Sequence, residues 1–384
     1  MRIAIIGSGI AGLYLGYKLK SLGIDFDIYE KNSIIGGRVK VLNFEGFDVN
    51  AGAGILTILR DKTMIHFCNE LKIKLAEYTQ KVGYTFEPID VVKITRLLKR
   101  ELKKDQNVRH NLTFSQFGKM VLGEDLYEKF TLTMGLTDYE NADIMDSLYT
   151  YGFDEYVSGV KNYSIKWKTL LSKLHNILKK HIHLSSNVKT IRKLENNKFL
   201  VKRNIYDKVV FATNIDGVRQ FLKEKIYRDI GGQVFARLYV KLDRPIENIE
   251  GYLVTEKPFQ KILTIDEKKC IYMISYSDNK IARKWKKVDI KSTVVSGLKK
   301  IFGEEFRVLK YKLVYWNIGT HYFKPLSPEF KNRAEFLKVA QNPVENIYVV
   351  GEAVSTRQGN CEGAIQSVNK VLKKITTGLH PRAT

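Results

Sequence analysis

"RIAIIGSGIAGLYLGYKLKSLGIDFDIYEKN" (residues 2 to 32) reads as strand, tight turn, helix, loop and second strand. The run IAII suits a short strand buried on both faces. Gly7, Gly9 and Gly12 follow at the spacing GxGxxG. Leu13, Leu15 and Leu19 then carry a helical pattern, and Gly23 stands just beyond its end. "FDIYE" is a second parallel strand ending at Glu30, 18 residues past Gly12. In this setting each residue has a task in holding a dinucleotide. Gly7 permits the turn, Gly9 lets the backbone approach a pyrophosphate, and Gly12 lets helix and strand pack closely. The helix start, with Ile10 and Ala11 in its first turn, offers free N–H groups to the phosphates. Glu30 is placed to accept hydrogen bonds from a ribose, with Lys31 beside it. A chance glycine turn would lack the strand before, the helix after and the acid at this distance.

The rest of the composition narrows the class. With 384 residues, 44% hydrophobic and 11% aromatic, the chain can bury a core of two domains or one elaborate one. Its three cysteines (Cys68, Cys270, Cys361) are scattered, so neither a disulfide framework nor a zinc site is indicated, and no metal is expected. The histidines His181 and His183 share a strand face and read as ordinary surface residues. Sixty-four Lys and Arg against 41 Asp and Glu give a net charge of +23. That surplus favours weak, non-specific anion binding. The basic runs "KRELKK", "LKKHIH" and "RKWKK" are nevertheless short and dispersed, with no nucleic-acid motif beside them, and read as solvated faces. No apolar run is long enough to span a bilayer. Arg2 ahead of an apolar stretch only imitates a signal peptide, because the glycines there fall at nucleotide-binding spacing. A cytoplasmic protein with no dedicated membrane site is expected.

"IIGGRV" sets Gly36, Gly37 and Arg38 directly after the second strand. NAD-dependent dehydrogenases have no need of this run, and here the chain resembles the flavin amine oxidase superfamily, in which FAD replaces NAD. The resemblance implies that Gly37 and Arg38 line the flavin and pyrophosphate side. The next stretch, "EGFDVNAGAGIL" (residues 45 to 56), gives up side-chain packing for bare backbone. In the family this segment runs past the isoalloxazine ring, which implies that Gly52, Ala53 and Gly54 are small because the ring fills their space. Asn50 stands where the family commonly has Asp.

Two later stretches resemble the same family. In "SSNVKTIRKLENNKFLVKRNIYDKVVFATNIDGV" (185 to 218), Val188 is implied to hold the adenine end through its backbone, and Ala212 ends a buried strand near the cofactor. "NIYVVGEAVSTRQGNCEGAIQSVNKVLKKI" (346 to 375) delivers Gly351 and Glu352 from a strand. A helix then opens with Glu362, Gly363 and Ala364, its N-terminus implied to face the flavin. Cys361 is counted on this cofactor side as a small packing residue. The implied fold is α/β: an FAD-binding, Rossmann-like doubly wound sheet (residues 1–70, 180–230 and 335–384) with an inserted α+β substrate domain (71–179 and 231–334). The first insert reads as mostly helical, with "SIKWKTLLSKLHNILKK" an amphipathic example, and the second as an antiparallel sheet.

On the substrate side, the family's lysine near the flavin aligns with Arg237 in "ARLYVKLDRP", eight residues before Pro245. Strand alternation sets Arg237 opposite to Ala236 and Leu238. Trp316 and Tyr322 in "YWNIGTHYFKP" are the expected aromatic walls beside it, and Asn360 occupies a position where the family has an aromatic cage residue. Some members attach FAD through a cysteine between positions equivalent to 311 and 330; none is present, so non-covalent FAD is expected. Three functions stay open: oxidation of the C–N bond of an amine or polyamine with oxygen as acceptor and hydrogen peroxide as product; chemistry on C–C bonds, desaturase-like or protoporphyrinogen-oxidase-like; and a flavoprotein without catalysis. The oligomeric state is not legible.

Overall fold

The computed structural model describes residues 1–104, 112–247 and 249–377. Parts of the expected segments 71–179, 231–334 and 335–384 therefore lie outside the described residues. Strand Arg2–Ile6 sits at the centre of a five-stranded, all-parallel sheet. Asp25–Tyr29 and then Ile182–His183 lie on one side; Lys208–Phe211 and then Ile347–Val349 lie on the other. The chain leaves the central strand in opposite directions, so a crevice opens at the carboxyl ends of Arg2–Ile6 and Lys208–Phe211.

Alternation along the strands supplies two cores. Ile3, Ile5, Phe26, Ile28 and Val210 face a helical layer built from Ile10–Ser21, Trp167–Leu178 and Cys361–Thr376. Helix Ile10–Ser21 is buried almost all round because helix and sheet enclose it, and Gly16 lets it close on the sheet: a Cβ there would lie 2.8 Å from Ile28 Cδ1. Ala4, Ile6, Val209, Phe211 and Val349 face the other way. There the cover is a three-stranded antiparallel sheet carrying Phe199, Val201 and Tyr206, with short helices beside it, rather than a second layer of long helices. Helix Trp167–Leu178, read as part of the insert, packs in the first layer against Ile10–Ser21. Its Leu170, Leu174 and Leu178 stripe is apolar toward the parallel sheet. His181 and His183 also differ from their reading, being half-buried and bound to Phe26 O (2.9 Å) and Asp27 Oδ1 (2.6 Å).

The second half is built on a six-stranded sheet in the order Val308–Phe323, Ile230–Leu242, Ile271–Asp278, Lys261–Asp266, Tyr252–Val254 and Val82–Tyr84. All pairs are antiparallel except the last, Val82–Tyr84 beside Tyr252–Val254. Its two long strands start in one half and end in the other. Ile230, Ile318 and Phe323 belong to the core under the parallel sheet, whereas Leu238, Val240 and Val308 belong to a separate core with Trp285 and Leu298. Helices Val91–Lys104, Phe114–Met134 and Ile144–Thr150 form a bundle around Phe114, Phe130, Tyr139 and Phe153. A capping box between Thr113 and Gln116 starts the middle helix, and Gly135 ends it in the left-handed conformation (φ 63°). That stop sends the chain through Asp138 toward the interior. Among the described residues no helix is long and apolar enough to cross a membrane, and no group of three or more His, Cys, Asp or Glu could hold a metal ion.

Candidate active site

A cavity of about 1110 Å3 begins at the crevice of the parallel sheet and continues along the second sheet. Ordinary small-ligand pockets hold roughly 300 to 1000 Å3, so an extended cofactor and a substrate both have room. Gly7, Gly9, Ile10, Ala11, Glu30, Lys31, Gly37 and Arg38 line it, as do Gly52, Ala53, Gly54, Val188, Ala212, Gly351, Glu352, Cys361 and Ala364. The substrate-side residues Arg237, Trp316, Tyr322 and Asn360 line it too. Gly12, Glu362 and Gly363 do not.

Gly7 adopts φ +110°, and a Cβ there would lie 2.6 Å from Ala212 O. Gly9 is different: nothing stands within 4 Å of its Cβ position, and it begins helix Ile10–Ser21 with no side chain capping the first turn. Open space before an uncapped helix start of 12 residues fits a pyrophosphate. Gly12 serves packing alone, since its Cβ would sit 2.1 Å from Gly7 O. Gly12→Ala is therefore expected to lower the bound flavin per chain and to destabilise the fold by about 1–3 kcal/mol. Flavin content and urea midpoint check this; an unchanged pair would show that the turn tolerates displacement.

Glu30 is buried and already accepts four hydrogen bonds: from Ser8 N (2.9 Å), Ser8 Oγ (2.8 Å), Asn32 N (2.9 Å) and Asn32 Nδ2 (2.7 Å). It thus fixes the glycine turn to the end of the second strand. Gly36 N donates to Ser8 O (2.9 Å), and the Gly36–Gly37 pair, both with positive φ, stacks on Gly9. Ala53 N donates to Arg38 O (3.2 Å). Here one expectation needs correcting. Gly52 is small because a Cβ would lie 2.1 Å from Arg38 O; at Gly54 a Cβ would have space, with Asn50 Nδ2 and Arg237 Nη1 at 3.7 and 3.9 Å.

The C-terminal segment is likewise reassigned in part. Asn360 caps helix Cys361–Thr376, accepting from Gly363 N at 2.9 Å, which explains a polar residue at a position expected to be aromatic. Gly363 is bare because a Cβ would meet Arg357 O at 1.8 Å. The Glu362 side chain turns to helix Lys62–Glu70, accepting from Thr63 N (3.1 Å) and Met64 N (2.7 Å). Burial pushes the Cys68 thiol up to about 12 and the Cys361 thiol up as well, so both are inert packing groups.

Glu352 is the centre of a buried network. Its carboxylate accepts from Arg38 Nη1, from His321 Nδ1 and from Gly359 N (3.0 Å). Burial alone would raise its pKa, but His321 and Arg38 outweigh that and hold the carboxyl well below its ordinary range. His321 Nε2 accepts from Ile215 N (3.1 Å), so the ring's hydrogen resides on Nδ1 and points at Glu352. Arg38 Nη1 also donates to Gly319 O (2.9 Å). One guanidinium thereby ties the second-strand loop to a long strand of the other half.

Arg237 faces the cavity, while Ala236 and Leu238, both fully buried, face the opposite core. Its guanidinium stands 4.5 Å over the Tyr276 ring, with a long contact to Asn50 O (3.4 Å). Tyr239 Oη donates to the same carbonyl (2.6 Å), so Asn50 works here through its backbone, and an Asn for Asp exchange leaves that contact intact. Trp316 pairs in register with Phe235 and donates from Nε1 to Ala51 O (2.7 Å). Tyr322 is not brought to this place. It stands six residues further along the strand, about 20 Å away, over Gly231.

Sequence patterns missed the polar wall opposite Arg237. Asp138 lines the cavity and accepts from Tyr151 Oη (2.5 Å) and, at 3.4 Å, from Thr320 Oγ1. Burial raises its pKa. Lys261 is 3% exposed and also lines the cavity. Its ammonium sits 4.6 Å from the Tyr156 ring and 4.9 Å from the Tyr252 ring, and burial lowers it to about 8. No periodicity singles out a loop aspartate or a lysine on an alternating strand.

Comparison with known proteins resolves what this geometry belongs to. A sequence model of an NAD(P)-binding Rossmann-like domain matches residues 5–71, and one of the flavin containing amine oxidoreductases matches residues 94–369. The chain belongs to the flavin-containing amine oxidoreductase family. Solved structures of putrescine oxidase share the fold: the wild type bound to putrescine aligns with a TM-score of 0.76 at 12% identity, covering 98% of this chain and 99% of that one. A single-site mutant of the same enzyme gives 0.78, also at 12% identity. Curated relatives match over a short stretch. They include a 4,4'-diaponeurosporene oxygenase of Staphylococcus haemolyticus, 42% identical over 57 residues, and a 4,4'-diapophytoene desaturase of Staphylococcus aureus, 39% identical over 56. Each alignment spans 15% of this chain and 11% of the relative.

Proposed function

We propose that this member of the family is an FAD-dependent amine oxidase that oxidises a C–N bond of a small amine, with oxygen as acceptor and hydrogen peroxide as product. The observation that carries the reading is the substrate half of the cavity, walled by tyrosines and by the charged Asp138, Arg237 and Lys261. Such a wall suits a small polar molecule. The short matches to enzymes acting on C–C bonds favour a second reading, a desaturase-like flavoprotein.

In the proposed holoenzyme the first turn of helix Ile10–Ser21 receives the pyrophosphate, and Glu30 exchanges an Asn32 contact for a ribose hydroxyl. Val188 would hold the adenine end, Arg38 and Glu352 would serve the middle, and Asn50 to Gly54 with Trp316 would receive the ring. A bound flavin supplies a two-electron acceptor, so the chain needs no nucleophile of its own. Arg237, held over Tyr276, sets a fixed positive charge beside the place where negative charge accumulates. It stays protonated at ordinary pH and so orients rather than moves protons.

Anaerobic mixing with an amine panel tests this. Flavin bleaching by a small amine is expected, and bleaching by polyene hydrocarbons alone would favour the second reading. Acid treatment is expected to release intact FAD, because no cysteine lies between 311 and 330. Flavin retained by the denatured chain would overturn non-covalent binding.

A further inference from the structure

Three buried charges that line the substrate half of the cavity have no ionic partner within 4 Å among the described residues; Asp278, buried behind them, accepts from Thr137 N (2.7 Å) and Gln260 Nε2 (2.9 Å). Asp138 has only hydroxyl donors, from Tyr151 and Thr320. Arg237 lies on the Tyr276 ring, and Lys261 lies against the Tyr156 and Tyr252 rings. Other buried charges along the cavity are matched: Arg357 bridges Asp61 and Glu155 at 2.7 and 2.9 Å, and Asp146 holds Arg333 at 2.8 Å. Asp138 and Lys261 are linked through aromatic rings, and Arg237 lines the same cavity. Tyr151, which donates to Asp138, stacks on Tyr156 at 5.5 Å, and Tyr156 carries the lysine. Aromatic faces support a cation without neutralising it. Buried charge that is hydrogen-bonded or ring-supported but ionically unpaired is poised for a ligand of opposite sign.

We propose that Asp138 takes the ammonium of the substrate while Lys261 and Arg237 take a carboxylate on the same molecule, so that the enzyme prefers an amine bearing an acid group over a diamine. This rests on the amine-oxidase reading. A diamine brings a second cation to a cavity surface where Lys261 and Arg237 stand against Asp138, with Asp278 behind them, and the net charge of +23 opposes its approach. An aminocarboxylate satisfies both signs. Lys261 is a binding residue here; burial lowers its pKa against the pull of Asp138 and Asp278.

Four-carbon compounds separate the cases. The flavin-loaded protein is mixed anaerobically with α-aminobutyrate, γ-aminobutyrate, butylamine and putrescine, and half-saturating concentrations for bleaching are compared. One aminobutyrate isomer is expected to half-saturate at a concentration roughly tenfold or more below butylamine and putrescine. Lys261→Met is expected to erase that advantage, and Lys261→Gln serves if the Met variant does not fold. Butyrate, which has no amine to oxidise, gives a readout free of turnover. Calorimetric titration should show binding to the wild type that weakens roughly tenfold in the Lys261 variant. Putrescine preferred over both aminobutyrates, or butyrate binding unaffected by the substitution, overturns the proposal and leaves the amine-oxidase reading standing. Bleaching by none of the amines overturns that reading instead, and the butyrate titration still decides the carboxylate site.

Discussion

Replacing Glu352 with glutamine is expected to lower the stability of the fold by about 3 kcal/mol, the low end of the range for removing one partner of a buried ion pair. The carboxylate joins Arg38 of the nucleotide half to His321 of a long strand, and its loss leaves a guanidinium facing a neutral amide. The low end applies because the Arg38 side chain is 28% exposed and can recruit water. The pH dependence has a definite sign. The folded pKa is depressed below the ordinary 4.5, so this stabilisation is complete above about 4.5 and fades as pH falls toward the folded value. Urea unfolding of wild type and variant should therefore differ most near pH 7, and the gap should narrow below about pH 4. A gap under about 1 kcal/mol at neutral pH would make the network incidental.

Arg237→Met is expected to slow amine-driven flavin reduction by roughly 10- to 150-fold, from about 1.5–3 kcal/mol of charge-assisted interaction. Folding should suffer much less. Methionine refills the space over Tyr276, and the lost cation–π contact is worth about 0.5–2 kcal/mol. Stopped-flow reduction beside a urea midpoint separates the two quantities. A fully active variant would remove Arg237 from the chemistry and move the desaturase-like reading ahead.

The nucleotide end was legible because its requirements are local. A positive φ at Gly7, an uncapped helix behind Gly9 and an acid closing the next strand all fall within thirty residues, where spacing carries the information. The inward direction of Arg237 was legible for a similar reason, since alternation along one strand decides it. Reasons for the remaining glycines were not. Whether Gly52 or Gly363 is bare for a ligand or for a neighbouring carbonyl depends on Arg38 O and Arg357 O, which only the folded loops bring close. Tyr322 was misplaced because six residues of strand separate it from Trp316. Asp138 and Lys261 gave no signal, for a loop acid after a helix stop and a lysine on an alternating strand both look like solvated surface.

The two long strands Ile230–Leu242 and Val308–Phe323 have a mechanical consequence. Paired with each other along most of their length, they act as a beam running from the core beneath the cofactor crevice into the core behind Arg237. A hinge between the halves would have to cut across that ladder. Substrate must therefore reach the buried charges by displacement of side chains and loops at the rim, and the distance between Arg237 and the nucleotide turn is set by a rigid ruler rather than by domain closure.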